Sequence, residues 1–275
     1  MNSTSAVMPG IIYGTAWKKE RTAQLVGEAL EMGFRGIDTA CQPRHYDEAG
    51  VGAGIAAWLA RGGGSRAELY LQTKFTPPSG QDPQRLPYDA NASVADQVSQ
   101  SFQTSLCNLQ ASYVDALLLH SPLPTTEQTL QAWRAMEAIV DAGAVTRLGI
   151  SNCYDLATLG ALCRSARVMP AVVQNRFYAQ TNYDVAIRAF CRERGIAYES
   201  FWTLSANPHL LTSTAITALA RKHGRTPAQI LFRYLSHEAV VPLTGTTSRN
   251  HMQESLAIFE FDLTERECEA IGALL

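Results

Sequence analysis

The chain has 275 residues, 46% of them hydrophobic, enough to bury a full core in either one α/β barrel or two ordinary domains. Its 23 Lys and Arg nearly cancel 25 Asp and Glu, and no basic run stands out, which argues against nucleic acid or an anionic membrane as a partner. Met1 to Met8 carries no basic or apolar leader and no apolar stretch reaches a membrane span, so a cytoplasmic protein is the expectation.

Short β-branched or apolar runs alternate with longer segments of helical period, the signature of repeated βα units. Predicted strands lie at Ile11–Tyr13, Arg35–Asp38, Leu69–Phe75, Val114–His120, Val145–Ser151, Val172–Asn175, Ala197–Phe201 and Val240–Thr244. Eight such units make a (β/α)8 barrel, expected here as one domain over residues 1–275, since no linker or longer repeat interrupts the alternation.

Helix starts between the strands carry capping signals: Ser93-x-x-Asp96, Thr125-x-x-Gln128 and Thr264-x-x-Glu267, and Thr226 before Pro227. Val94, Val98, Phe102, Leu106 and Leu109 recur at helical spacing and predict a stripe against the barrel wall. Gly33, Gly143 and Gly195 each close a helical pattern just before a strand. The connection from Thr76 to about Asn91 is long and proline-rich, and a loop after a strand belongs at the barrel mouth. The cysteines Cys41, Cys107, Cys153, Cys163, Cys191 and Cys268 are scattered without a C-x-x-C pair, which fits reduced thiols used as small hydrophobes and predicts neither disulfide nor metal site.

The polar residues fall at strand ends. Asp38, Lys74, His120, Ser151 with Asn152, and Gln174 each stand at or just after the end of a different predicted strand, and in such a barrel those ends converge on one face. Each has a bland alternative: Asp38 as a helix cap, His120 as a satisfied core histidine, Lys74 as a snorkelling lysine. Together they read as a site. An acid and a lysine at neighbouring strand ends can pair where either alone is costly to bury. A lysine so held would lower the pKa of a nearby tyrosine, and Tyr46, in the loop after the second strand, is placed to serve as a general acid.

Six segments carry a family resemblance: Met8-Pro9-Gly10 to Trp17, Gly33 to Ala40, Tyr46 to Gly52, Gln72-Thr73-Lys74, Leu117 to Pro122, and Leu148 to Asn152. In order along nearly the whole chain, they resemble the motifs of the aldo-keto reductases. The resemblance implies hydride transfer from a nicotinamide dinucleotide to a small carbonyl compound, in a monomer or weak homo-oligomer. Asp38, Tyr46, Lys74 and His120 match the family's catalytic positions, with Tyr46 the proton donor, Asp38 and Lys74 tuning it and His120 orienting the carbonyl.

The same resemblance implies that Ser151, Asn152 and Gln174 hold the nicotinamide carboxamide and that Phe201 stacks on the ring, where many relatives have tyrosine. Thr15, Ala16, Trp202, Leu204, Thr244, Gly245, Thr246 and Glu254 fall on further cofactor-lining positions, and Trp17 borders the substrate. NADPH is the expected cofactor, with NADH possible: Leu243 stands where relatives have a 2′-phosphate lysine, and either Arg249 or His251 matches the phosphate-binding arginine, depending on register. The segment before Met8 is short for the usual barrel plug and no long C-terminal loop follows the helix near Thr264. A more open bowl, bordered by Trp17, Trp202 and the proline-rich loop, is the expectation. Rival readings are a metal-dependent hydrolase, which needs several convergent histidines where only His120 ends a strand, a Schiff-base aldolase using Lys74, and an idle nucleotide-binding member of the same fold.

Overall fold

In a computed structural model of the protein, residues 6–275 are described. The expected short segment before Met8 falls mostly on residues 1–5, outside that range. Eight parallel strands pair in chain order and close on themselves: β1 (Ile12–Gly14), β2 (Gly36–Asp38), β3 (Tyr70–Phe75), β4 (Val114–Leu119), β5 (Val145–Ser151), β6 (Val172–Arg176), β7 (Ala197–Phe201) and β8 (Val240–Thr244). The expected (β/α)8 barrel is therefore the fold.

The helices that follow are α1 (Thr22–Met32), α2 (Glu48–Ala60), α3 (Val94–Leu109), α4 (Thr126–Asp141), α5 (Leu156–Ser165), α6 (Val185–Glu193), α7 (Pro208–Leu211), α8 (Thr214–His223), α9 (Pro227–His237), α10 (Arg249–Leu256) and α11 (Glu265–Gly272). One helix follows each of the first six strands, and α7 to α9 all lie between β7 and β8. No helix among the described residues is long and apolar enough to cross a membrane.

Alternation along each strand divides the core. On β3, Leu71 and Phe75 join the large apolar layer between barrel and helices, which also takes Val98, Phe102 and Leu109 of α3. Tyr70 joins Ile12, Ala116, Leu118, Val172 and Leu243 inside the barrel. Gln72 and Lys74 share the Tyr70 face by period two, so the interior is apolar at its base and polar toward the C-terminal ends of the strands.

Caps fix the helix ends. Thr226 and Thr264 form reciprocal capping boxes with Gln229 and Glu267. Ser93 and Thr125 instead accept a backbone N–H from Asp96 and Gln128 and bond those side chains through their own hydroxyls. Gly33, Gly143 and Gly195 all adopt positive φ before the next strand. The loop after β3 is tied to the barrel mouth: Gln42 Nε2 donates to Gly80 O (2.7 Å), Gln81 Nε2 to Cys41 O (2.8 Å) and the Tyr88 hydroxyl to Thr76 O (2.8 Å).

Candidate active site

The strand ends surround a bowl of about 730 Å3, lined by residues at or beyond the C-terminal ends of all eight strands. Beneath its floor, Lys74 Nζ donates to Asp38 Oδ1 at 2.5 Å and to Thr39 O at 2.8 Å, with both side chains buried. Burial alone would lower the Lys74 pKa, but the Asp38 carboxylate that accepts its hydrogen bond opposes this, and the net shift is upward. The ammonium is thus kept charged and paired.

Tyr46 and His120 face the bowl above this pair. Lys74 Nζ lies 5.3 Å from the Tyr46 ring centroid, and the Tyr46 and His120 rings meet edge-on with centroids 5.9 Å apart. Burial raises the Tyr46 pKa, and the opposing Lys74 charge does not overcome it, so the expected lowering is not the net result. Burial, then the positive Lys74, push the His120 pKa well below its ordinary value and leave the imidazole neutral. Its Nδ1 is 2.6 Å from Thr76 Oγ1.

On the adjoining wall, Ser151 Oγ donates to Gln174 O (2.8 Å), and Asn152 Nδ2 donates to His120 O (2.9 Å) and to Ser151 Oγ (3.2 Å). Gln174, Phe201, Trp202 and Leu204 also line the bowl. Trp17, Asn152 and Trp202 adopt positive φ of 64°, 52° and 55°, an uncommon backbone for non-glycine residues; Asn152 and Trp202 directly follow β5 and β7, and Trp17 stands three residues beyond β1. Trp17 lies against His45, ring centroids 4.0 Å apart, at the rim.

Not every expected residue reaches the bowl. Ala16, Thr244, Gly245 and Thr246 line it, whereas Thr15 is buried behind it with Oγ1 donating to Asp38 O (2.8 Å). Arg249, His251 and Glu254 are not among its lining residues. Arg249 turns toward α1, 3.9 Å from Glu28 and 3.8 Å from Glu31, while His251 Nδ1 lies 3.5 Å from Thr246 Oγ1. Of the two residues left open by the sequence, His251 thus lies against Thr246 of the loop after β8 and Arg249 beside α1.

Several lining residues escaped the sequence reading. Lys18 reaches across to Gly245 O, and burial with the nearby Arg21 pushes its pKa down to about 8. Arg176, on the Gln174 face of β6, stacks 4.2 Å over Trp202 with a buried Nε that has no hydrogen-bond partner. Thr76 and Gly80 come from the proline-rich loop. Gln72 and Glu199 lie one layer lower, two residues before Lys74 and Phe201. Period-two alternation was the signal that would have found them.

A nicotinamide dinucleotide fits these residues. Gln174 spends both side-chain N–H groups on carboxylates below and keeps its carbonyl free at the wall, beside the Phe201 ring and the Ser151–Asn152 pair. Lys18 offers a cation where β1 meets β8.

A family model described as the aldo/keto reductase family matches residues 10–275. An aldo-keto reductase of Bombyx mori is 30% identical over 98% of this chain and 89% of its own. An NAD(P)H-dependent D-xylose reductase of Pachysolen tannophilus is 27% identical over 97% of this chain and 90% of its own. Among solved structures, an aldo/keto reductase from Brucella melitensis superposes with a TM-score of 0.82 at 29% identity, over 98% of this chain and 95% of that one. A Bombyx mori aldo-keto reductase in complex with NADP does so with 0.82 at 27%, over 97% and 89%.

Proposed function

The chain belongs to the aldo/keto reductase family, and from that membership we propose that it reduces aldehydes and ketones to alcohols with NADPH, NADH being a weaker alternative. The observation that carries this reading is the buried Lys74–Asp38 pair under a protonated Tyr46 and a neutral His120 at one end of the bowl. Bound dinucleotide supplies hydride to the carbonyl carbon. As that carbon is reduced, Tyr46 gives its proton to the carbonyl oxygen, and the phenolate left behind is stabilised by Lys74. Asp38 keeps Lys74 charged and in place. In the tautomer whose Nδ1 accepts from Thr76, 2.6 Å away, His120 carries its proton on Nε2 and donates to the same carbonyl oxygen, fixing its orientation. Ser151, Asn152, Gln174 and Phe201 would hold the nicotinamide, and Lys18, Thr246 and His251 would meet the phosphates. Support for NADPH comes from the NADP-bound relative and weakens where Arg249 is engaged by α1 and Leu243 replaces a cation.

The Schiff-base alternative needs a neutral Lys74 amine, and Asp38 opposes that. Purified protein with NADPH and a reactive aldehyde is the test. Steady loss of the reduced-nicotinamide absorbance is expected; tight NADPH binding without loss would make the protein a nucleotide-binding member of the fold instead.

A further inference from the structure

Glu199 is completely buried inside the barrel, at a place where the rest of the interior offers apolar packing as an alternative. A carboxylate there carries a substantial desolvation cost, so its partners are informative. Its Oε2 accepts from Gln72 Nε2 at 2.7 Å and from Gln174 Nε2 at 2.8 Å, and its Oε1 has no hydrogen-bond partner. The same two amide nitrogens also donate to Asp38 Oδ1, at 2.8 and 2.9 Å. Two carboxylates are therefore bridged by two NH2 groups, and Lys74 shares the Asp38 end.

An amide NH2 has two protons, and here each finds a carboxylate. That arrangement sets which way each glutamine points. Gln72 turns its carbonyl to the Tyr70 hydroxyl (3.2 Å), and Gln174 is left with its carbonyl toward the bowl. Without Glu199, one Gln174 N–H loses its acceptor and the amide can rotate, presenting a donor where an acceptor is needed. Nothing else among the described residues accepts that second proton.

We propose that Glu199 is a positioning residue: through Gln174 it holds an acceptor toward the nicotinamide carboxamide N–H2, and through Gln72 it helps fix the Asp38 end of the ion pair. This rests on the reading that the bowl takes a nicotinamide dinucleotide. The role depends on reach rather than charge, which separates two conservative variants. Glu199→Gln keeps a carbonyl acceptor at the same distance without the charge. Glu199→Asp keeps the charge but draws the acceptor back by about 1.5 Å, beyond both amides.

The test is calorimetric affinity of each variant for NADPH and for adenosine 2′,5′-bisphosphate, which lacks the nicotinamide. Glu199→Asp is expected to weaken NADPH about tenfold or more while leaving the bisphosphate within about threefold, and Glu199→Gln to keep both within about threefold of wild type. The inference is overturned by equal losses for the two ligands, by wild-type NADPH affinity in Glu199→Asp, or by a Glu199→Gln loss as large as that of Glu199→Asp. Absence of NADPH binding by the wild type overturns the parent reading and this inference together. Wild-type binding with an unaffected Glu199→Asp overturns this inference alone.

Discussion

Two influences oppose each other at the Tyr46 phenol, and their balance sets how the site responds to pH. Burial favours the neutral phenol and Lys74 favours phenolate; burial prevails, so Tyr46 stays protonated beyond its ordinary range. His120 is displaced the other way, by burial and by Lys74, and takes up a proton only well below its usual pKa. A raised Tyr46 loses its acid only on the alkaline side, and a lowered His120 changes charge only on the acid side. At saturating NADPH, kcat for carbonyl reduction is therefore expected to stay flat from about pH 7 to about pH 9. A limb inside that interval that persists in Lys18→Met, which removes the cation whose pKa is about 8, would contradict these assignments. Lys74→Met should lower kcat, because the phenolate formed on proton transfer loses its counter-charge. It should also destabilise the fold by about 3–5 kcal/mol in urea unfolding, since Asp38 is left buried without its cation.

Helix termini show where local sequence and backbone agree and where they do not. Glycine occupies the left-handed C-cap of α1 and α8, but at the end of α3 that conformation falls to Gln110, with φ 53° and ψ 42°. Gln110 is exposed, so its replacement removes no packing. Gln110→Gly is expected to stabilise the protein by about 0.5–1 kcal/mol, the relief of left-handed strain exceeding the added freedom of the unfolded chain. Urea unfolding measures it, and a loss of stability would contradict the cap geometry. The strands were legible because each is a short buried run: β5, β7 and β8 match their predicted limits, β2, β3, β4 and β6 differ by one residue at one end, and β1 is displaced by one residue at both. Between β7 and β8, only the helix after Thr226 was marked by a clear cap; α7 and α8 were not anticipated. The strand-end constellation was legible because polar side chains interrupt apolar runs at equivalent places. Glu199 and Gln72 were passed over: period two puts them on the faces of Phe201 and Lys74, but a polar residue within a strand looks like a solvent-facing position until the barrel closes around it.

At the scale of the whole molecule, the eight strand ends bring Asp38, Tyr46, Lys74 and His120, separated widely in sequence, to one bowl with the groups proposed for the dinucleotide. A ligand bound only by the folded barrel stabilises all of it, by about 2.7 kcal/mol at a concentration of a hundred times Kd. NADPH is thus expected to raise Tm, and to do so equally for wild type and Tyr46→Phe, because the phenolic oxygen serves the carbonyl rather than the cofactor. The decisive measurement is NADPH oxidation by Tyr46→Phe beside wild type with the same aldehyde, at saturating cofactor and with the thermal shift confirmed equal. General acid catalysis contributes about 10² to 10⁴ in rate, so a fall in kcat of at least that size is predicted. Turnover within about tenfold of wild type, with NADPH bound normally, would mean that another group delivers the proton and would contradict the account.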